Sequence, residues 1–256
     1  MKGMLAFIKK EWLETVRSGR LGILAVVFVI LGIMNPAIAK MTPLMVELMT
    51  DSLAEMGMNI TEVYVDAMTS WTQFFKNIPI GLIAFVLICS NTFTKEYQSG
   101  TLVLVLTKGL ERYKVVAAKS VIMLLLWTFC YWLCYGITYG YNAYFWDNSV
   151  ADNLFTTSLN WWLFGLWTIT LIVLFSMLAR NNTGVLLGTG GTVIAAYLIS
   201  LFPSVKEYTP AVLMNTASLL SGAEEITVYG KAIAVTIVLC VLSVAASIPV
   251  MNKKQL

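Results

Sequence analysis

Residues Leu21–Ala39 read LGILAVVFVILGIMNPAIA and contain no charged side chain. A helix that rises 1.5 Å per residue needs about 20 such residues to cross ~30 Å of hydrocarbon. Five further apolar stretches of comparable length follow, and none contains Asp or Glu: Asn77–Phe93, Val115–Tyr139, Asn160–Leu178, Gly184–Phe202 and Ala232–Val250. The sequence therefore predicts an all-α polytopic membrane protein with six transmembrane helices.

The composition supports a location in the bilayer and excludes several kinds of chemistry. Hydrophobic residues make up 58% of the 256 residues and charged residues only 12%, whereas soluble domains carry roughly 25% charged residues. The absence of histidine excludes His-ligated metals and His-based catalysis. The net charge of +3 is too small to indicate a nucleic-acid partner. The four cysteines lie inside apolar stretches, which favours packing over metal binding, so no metal site is predicted: Cys89, Cys130, Cys134 and Cys240.

Basic residues predict the orientation of the chain in the membrane. All but four of the 17 Lys and Arg residues fall on the side that carries the amino terminus; the exceptions are Lys40, Lys76, Lys206 and Lys231. The positive-inside rule then places both termini in the cytoplasm, in agreement with an even number of spans. Lys119 is the one clear charge within a proposed span, and we expect it to extend toward the lipid headgroups.

The first twenty residues have the pattern of a helix that lies in the membrane interface. Apolar residues fall on one helical face: Met4, Leu5, Ile8, Trp12 and Val16. Cations fall on the other face and are expected to point toward anionic headgroups: Lys2, Lys9, Lys10, Arg17 and Arg20. A simple topogenic anchor would explain the charges but not the apolar stripe, so we favour an interfacial helix, with Lys10, Trp12 and Arg17 as its characteristic residues.

Two of the outward connections have patterns of their own. In residues 40–76, five apolar residues recur at helical spacing: Met41, Leu44, Met45, Leu48 and Met49. We expect them to form a helix that rests on the outer membrane surface or on the other spans, which explains the methionines without a copper site. Residues 203–231 mix apolar, small and acidic side chains, and we expect this connection to dip back into the protein.

Aromatic residues recur along the third span. Trp127, Tyr131, Tyr135 and Tyr139 are four residues apart. Residues at the outer end of a span commonly form an aromatic belt, but Trp127 lies near the middle. Buried or lipid-facing packing is the more common explanation, and a stripe of Trp127, Tyr131 and Tyr135 that faces a translocation pathway is the alternative.

The segment from residue 94 to residue 114 joins spans two and three on the predicted cytoplasmic side. It contains Leu102–Leu106, read LVLVL, between Gly100-Thr101 and Arg112. A solvated connection has no reason to display five apolar residues in a row. We therefore expect a short amphipathic element that docks on a partner protein or on the amino-terminal helix.

The stretch Phe93–Lys119 resembles the signature of ABC-2 type permeases, the membrane subunits of ATP-binding-cassette transporters. The matching positions are Glu96, Gly100, Thr101, Leu102, Arg112 and Lys119. Residues 9–17, beginning Lys-Lys-Glu-Trp-Leu, are similar to the amino-terminal amphipathic helix of that family. Gly109 stands where family members often have proline, which affects only the local shape of the turn.

The resemblance implies one transmembrane domain over residues 1–256 that works in a larger complex. Two permeases, identical or sister chains, would assemble with two cytoplasmic P-loop ATPase subunits in a plasma membrane, expected to be bacterial. ATP and Mg would bind in those ATPases, because this chain has no phosphate-loop motif, and it is expected to bind no cofactor and to be no enzyme. The family also implies re-entrant helices near residues 209–221.

The resemblance also suggests roles for individual residues. Glu96 and Arg112 would hold the coupling element through local ion pairs or caps, and Leu102–Leu106 would supply its docking face. The spans have no charge at mid-membrane, so an amphipathic or hydrophobic cargo such as a peptide, an antibiotic or a lipid-like molecule is favoured for export. The alternative is a non-transporting membrane scaffold, such as an immunity or sensory subunit.

The first prediction concerns Glu96 and Arg112. The double variant E96A/R112A should insert into the membrane normally but abolish substrate-stimulated ATP hydrolysis in the assembled complex, because the coupling element would lose its shape. The measurement is ATPase activity with and without substrate. Unchanged stimulation would remove the coupling role from these two residues.

Overall fold

A computed structural model describes residues 2–55, 64–107 and 109–253, apart from the side chains of residues 2, 49–55 and 103–105. These residues are almost entirely helical. The α-helices are α1 Lys2–Arg17, α2 Arg20–Glu55, α3 Ala67–Cys89, α4 Asn91–Gln98, α5 Thr101–Thr107, α6 Arg112–Phe145, α7 Leu154–Leu178, α8 Asn182–Ser200, α9 Pro203–Lys206, α10 Ala217–Leu220 and α11 Gly230–Lys253. Short 3₁₀ helices are Asn148–Val150, Pro210–Met214 and Ile226–Tyr229.

The prediction of six membrane-spanning helices is confirmed. Among the described residues, six helical segments are long and apolar enough to cross a bilayer. They are α2, α3 with α4, α6, α7, α8, and α11 with the 3₁₀ turn before it. Most begin or end beyond the predicted limits, because the helical backbone continues past the apolar residues into polar flanks. The interfacial placement of α1 and the cytoplasmic location of the termini stay predictions.

Helix α2 corrects the prediction of a separate helix outside the first span. It runs without a break to Glu55, through Pro36 and Pro43. Proline is tolerated in membrane helices when neighbouring groups satisfy the freed backbone. The predicted apolar residues Met41 and Leu48 are 54% and 77% exposed, so these two side chains are not packed against the other spans. The side chain of Met49 lies outside the described residues.

Helices α2, α3 and α6 form one half of the bundle, and a polar seam joins them. The Asn77 side-chain amide donates to Asn35 Oδ1 at 2.9 Å, and Asn35 is 3.4 Å from Thr138 Oγ1. The Thr138 hydroxyl in turn donates to the Gly32 carbonyl at 3.0 Å. A methyl group at Gly32 would lie 3.0 Å from the Cys134 carbonyl oxygen, so glycine permits this close approach of α2 and α6.

Helix α7 is the centre of the other half and packs against α6, α8 and α11. Gly184 and Gly188 have the G-x-x-x-G spacing that predicts close helix packing. A Cβ atom at Gly188 would lie 2.3 Å from the Phe175 ring, so this glycine allows α8 to pack closely on α7. Gly190 and Gly191 have no neighbour within 4 Å of a Cβ position and do not contribute to that contact. The predicted burial of the cysteines is confirmed for Cys89, Cys130 and Cys134, with Cys240 half-buried.

The connection between α8 and α11 consists of the short helices α9 and α10 and two 3₁₀ turns. Its apolar side chains Leu213, Leu219 and Tyr229 are buried, and Pro210–Met214 packs against α7, α8 and α11. The Tyr229 hydroxyl donates to Glu224 Oε2 at 2.8 Å. This connection is therefore part of the packed bundle, and its re-entrant position in the bilayer stays a prediction.

The second prediction tests the contact between α6 and α7. A Cβ atom at Gly165 would lie 2.2 Å from the Trp127 ring, so G165A should lower the free energy of unfolding by about 1–3 kcal/mol through overpacking. The measurement is denaturant unfolding of the detergent-solubilised protein. The control G190A, where nothing lies within 4 Å, should not destabilise, because alanine favours a helix more than glycine does. Equal stability of the two variants would contradict the tight contact.

Candidate functional site

Five charged residues from three helices meet near one end of the bundle. The Lys119 ammonium on α6 donates to Glu11 Oε2 on α1 at 2.7 Å and lies 3.1 Å from Glu96 Oε1 on α4. The Lys10 ammonium lies 2.8 Å from Glu11, 2.9 Å from Glu96 and 2.6 Å from Glu14. We call Lys10, Glu11, Glu14, Glu96 and Lys119 the ion-pair cluster.

The inner members of the ion-pair cluster are buried. The side chains of Lys119 and Glu11 are 1% and 5% exposed, and that of Glu96 is 10% exposed. An isolated charge buried to this extent is strongly unfavourable, so such groups occur with partners. The expectation that Lys119 extends to the headgroups is therefore wrong, because its ammonium is bound inside the bundle by two carboxylates.

The second lysine of the cluster has a different environment. The Lys10 side chain is 43% exposed and closes the cluster on the outside, so it does not point away toward headgroups as expected. Burial by itself lowers the pKa of Lys10, but hydrogen bonds from its ammonium to Glu11, Glu14 and Glu96 outweigh that effect and raise the pKa above its usual range. Lys10 therefore stays charged at any physiological pH.

The local sequence of α1 explains why Glu11 faces the bundle. Phe7, Glu11 and Thr15 recur every fourth residue and form the buried face of α1. Trp12 is 42% exposed, and Arg17 is also exposed, which agrees with a helix that packs on the bundle with one face and leaves the other to its surroundings. The backbone carbonyl of Glu11 accepts from the Thr15 hydroxyl at 2.9 Å.

The ion-pair cluster has enough carboxylates for a metal-cation site, but these carboxylates are already bound by lysines. The carboxylates of Glu11, Glu14 and Glu96 lie within 4.8 Å of one another, a spacing at which a divalent ion could be bound. The Lys10 ammonium contacts all three at hydrogen-bonding distance. The cluster therefore works as a set of ion pairs that fixes α1 and α4 against α6.

A further polar contact joins the start of α2 to α4. Arg20 donates to Asn91 Oδ1 at 3.1 Å and to Thr92 Oγ1 at 3.3 Å. Arg20 thus contacts the first residues of α4, about one helical turn before Glu96 of the ion-pair cluster.

The predicted coupling segment contains a sharp turn followed by the short helix α5. Gly100 has φ +69°, a left-handed conformation that favours glycine, and the Thr101 side chain is exposed. Leu102 is only 1% exposed and belongs to the core, and Leu106 is half-buried. Leu102 is therefore not available as part of a docking face, and residues 103–105 of that predicted face have side chains outside the described part of the chain.

A second turn follows α5 at Gly109. Its φ is +87°, which a proline cannot adopt because its ring fixes φ near −65°. The glycine that departs from the family pattern therefore has a structural reason in this chain.

The contacts of Glu96 and Arg112 reach beyond the coupling segment to residues far away in the chain. Glu96 is bound by Lys10 and Lys119, as described above. Arg112 donates instead to the backbone carbonyls of Met251 at 2.7 Å and Asn252 at 3.1 Å. Both carbonyls belong to the last residues of α11 that the structure describes, and a basic side chain is a favourable partner for carbonyls near the carboxyl end of a helix. The start of α6 is thereby tied to the end of α11.

The aromatic residues proposed for a pathway are packed inside the chain. Trp127 and Tyr131 are fully buried; the Trp127 indole donates to the Trp162 carbonyl at 3.1 Å, and the Tyr131 hydroxyl to the Ser158 carbonyl at 2.8 Å. Tyr135 is half-buried and packs against Trp71. The geometry of Trp127 and Tyr131 favours packing, the first of the two explanations.

Sequence analysis did not single out Glu11, although the sequence offered two clues to its role. Glu11 lies between Phe7 and Thr15 on the one face of α1 that the bundle buries, and Lys119 is a charge within a span. Intramembrane charges are expected to have partners, so an acidic residue on the inward face of α1 was a candidate. Which acid meets which lysine depends on the packing of α1.

Two comparisons with known proteins agree with this architecture. A family model described as "ABC-2 family transporter protein" matches residues 5–254. The chain is also 24% identical to an uncharacterized transmembrane protein of Bacillus subtilis (strain 168), YxlG, over 253 residues, which cover 96% of this chain and 95% of that protein.

The third prediction tests the ion-pair cluster. K119M leaves Glu11 and Glu96 buried without their inner partner, so it should lower the free energy of unfolding by about 3–5 kcal/mol. The triple variant E11Q/K119M/E96Q removes the buried charges together and should recover much of that loss. The measurement is denaturant unfolding in detergent.

The control for this prediction is K231M, at the exposed pair of Lys231 and Glu207, whose side chains are 57% and 53% exposed. Loss of an exposed pair should have little effect on stability. If K119M is as stable as K231M, the buried ion pairs do not hold the helices together.

Proposed function

Because this chain belongs to the ABC-2 family of transporter proteins, we propose that it is the permease subunit of an exporter that a separate P-loop ATPase drives. The membrane-spanning permease role follows from the family. The proposal adds that two copies, or this chain and a sister chain, bind two ATPase subunits that hold ATP and Mg. They then move an amphipathic or hydrophobic cargo outward across the plasma membrane.

The proposed coupling between the ATPase and the membrane-spanning helices rests on the ion-pair cluster. The end of the bundle that carries Lys9, Lys10, Lys95 and Arg112 is its basic end. There the cluster connects α1 and α4 to a membrane-spanning helix, α6, through buried contacts of 2.7 and 3.1 Å. A displacement of α1 or α4 would be passed on to α6, because separating these buried charges would leave an unpaired charge in an apolar interior, at a cost of about 3–5 kcal/mol.

The exposed turn between α4 and α5 is the proposed contact for the ATPase. Lys95, Gln98, Ser99 and Thr101 are exposed there, whereas Glu96 and Leu102 of the same segment face inward. An ATPase that presses on this polar surface displaces α4, and with it Glu96. The buried residues of the segment then serve the connection to the bundle, and the exposed ones serve the partner.

Movement would extend from α6 to the last helix. Arg112 at the first residue of α6 is hydrogen-bonded to the carbonyls of Met251 and Asn252. The Tyr97 hydroxyl of α4 contacts the sulfur atoms of Met177 on α7 and Met251 on α11 at 3.2 and 3.4 Å. The coupling segment is thus joined to both halves of the bundle.

The class of cargo is proposed from what the spans contain. Apart from Lys119, which two carboxylates bind, the charged residues of the described spans lie outside the six apolar stretches of the sequence. The polar seam of Asn35, Asn77 and Thr138 consists of neutral groups. A permanently charged small ion would find no compensating charge at mid-membrane. A peptide, an antibiotic or a lipid-like molecule with a large apolar part fits this interior better.

A scaffold, immunity or sensory subunit is the alternative from a different class. Such a protein would keep the six helices but would need neither an ATPase partner nor transport. The extensive contacts of the α4–α5 segment with three other helices favour the permease, because a scaffold has no need to link this turn rigidly to α6, α7 and α11.

The fourth prediction tests the proposed ATPase contact. Extraction of the native complex in mild detergent should co-purify a soluble P-loop ATPase, identified by mass spectrometry. Q98W places a bulky side chain on the exposed turn and should reduce the amount of ATPase retained by about tenfold. ATP-dependent uptake of cargo into inverted vesicles should fall in parallel.

The matched control is A143W, which places the same side chain on an exposed residue at the opposite end of α6. It should retain the ATPase in full. Equal retention by Q98W and A143W would overturn the proposed contact, and consistent absence of any ATPase would favour the scaffold.

A further inference from the structure

A cleft lies at the end of the bundle opposite the ion-pair cluster, where α8 ends and its connection to α11 begins. It consists of two chambers with volumes of about 580 and 170 Å³. Lys206 and Asn215 line both chambers, which therefore adjoin at these two side chains. Sites for small ligands in proteins commonly have volumes of ~300–1,000 Å³. We call this feature the α8 cleft, with an apolar and a polar chamber.

The apolar chamber is the larger one and opens onto the last turn of α8. Tyr197 and Leu201 line it from α8, and Met214 lines it from the following 3₁₀ helix. Tyr197 and Leu201 are exposed and lie on one helical face with Ile194, which is exposed as well. From Leu201 to Ile194 this face extends about 10 Å along α8. A long apolar chain that leaves the chamber can therefore follow α8 toward the middle of the membrane.

The polar chamber lies beyond the end of α8, and no residue of α8 lines it. Among the described residues, no carboxylate forms an ion pair with Lys206, and the Asn215 side chain makes no hydrogen bond. The neighbouring Glu207 is bound by the Lys231 ammonium at 2.7 Å. An unpaired ammonium beside a free amide is a favourable partner for an anion such as a phosphate.

Glu224 gives the polar chamber a negative charge as well. The hydroxyl groups of Ser218 and Tyr229 donate to its Oε2 atom at 2.7 and 2.8 Å, and these hydrogen bonds hold the pKa of Glu224 below its usual value. Glu224 is therefore ionised at neutral pH. Its Oε1 atom accepts no hydrogen bond from the described part of the chain. The chamber thus offers an occupant one ammonium and one carboxylate that are not bound to each other.

We propose that the α8 cleft binds one molecule of phosphatidylethanolamine from the leaflet at this end of the bundle. The phosphate accepts hydrogen bonds from the Lys206 ammonium and the Asn215 amide. The ethanolamine ammonium donates to Oε1 of Glu224, and an acyl chain passes through the apolar chamber onto the exposed face of α8. Charged hydrogen bonds of this kind are about twice as strong as neutral ones.

The two charges of the polar chamber select this lipid over others. Phosphatidylglycerol has no cation for Glu224, and the choline group of phosphatidylcholine has no N–H to donate. A small soluble zwitterion would match both charges but would use only the polar chamber, whereas a lipid uses both. The α8 cleft is separate from the exposed α4–α5 turn, so we expect binding to the purified chain without ATPase or ATP, independent of export.

The first arm of the test concerns the carboxylate. Native mass spectrometry of the purified chain with equal amounts of both lipids should show one phosphatidylethanolamine per chain, preferred over phosphatidylglycerol by about tenfold, the factor that a charged hydrogen bond can supply. E224Q should lose this preference, although its amide oxygen can still accept from the two hydroxyl groups. The control is E225Q, at an exposed neighbour that does not line the cleft, and it should keep the preference.

Either of two results in this arm would overturn the proposal. The first is a wild type that retains both lipids equally. The second is E224Q with an unchanged preference for phosphatidylethanolamine.

The second arm concerns the phosphate. K206Q should reduce retention of phosphatidylethanolamine by about tenfold, because the phosphate loses its cation. The control K76Q removes an exposed lysine of α3 that does not line the cleft, and it should retain the lipid as the wild type does. Equal retention by K206Q and K76Q would contradict the site.

The third arm distinguishes the lipid from other occupants. L201W narrows the apolar chamber and should lose the lipid, whereas L198W, at an exposed leucine of α8 outside the lining, should keep it. A wild type that forms a lipid-free dimer, which L201W but not L198W separates, would show a second copy in the cleft. Displacement of the lipid by soluble glycerophosphoethanolamine at equal concentration would show a site for a small zwitterion. Both results would overturn the lipid site.

Discussion

The ammonium group of Lys119 lies roughly two helical turns inside α6, and it is 1% exposed. Its charge can be kept there only because Glu11 and Glu96 reach it from two other helices. Removing a charge from water costs several kcal/mol even in a relaxed protein interior. The need to pair this one lysine therefore fixes the positions of α1 and α4. Their positions in turn determine the other contacts at the basic end of the bundle.

The rest of the bundle is held by interactions that suit an apolar solvent. Hydrocarbon offers no hydrophobic driving force between helices, so close contacts and hydrogen bonds must provide the association. Gly32 and Gly165 bring helix surfaces together, and Asn35 and Asn77 share a hydrogen bond between α2 and α3. Arg112 satisfies carbonyls at the end of α11. These contacts involve neutral groups or lie at helix ends. Among the described residues, the buried ionic contact is therefore the ion-pair cluster.

This distribution of charge relates the fold to the proposed function. A permease has to receive a force at one membrane surface and move helices across the whole membrane. Buried ion pairs transmit displacement well because they resist separation, while glycine contacts and apolar surfaces allow helices to shift past one another. The segment from Glu96 to Arg112 combines an exposed polar turn with an anchor at each end, the buried Glu96 and the half-buried Arg112, and this arrangement suits an element that a partner moves.

Much of the architecture was readable from the sequence, because the six spans follow from length and hydrophobicity, and the bilayer fixes both. The close contact of α8 with α7 at Gly188 also followed from the G-x-x-x-G spacing. The sequence could not assign partners to Lys119, Arg112 or Leu102. The charged groups of Lys119 and Arg112 are bound by residues far away in the chain, and the packing of α1, α4 and α11 decides which groups come within about 3 Å of each other. Hydrophobicity therefore determined how many helices there are and roughly where they lie, whereas the pairing of the few charges, which depends on distance in space, was decided only by the tertiary structure.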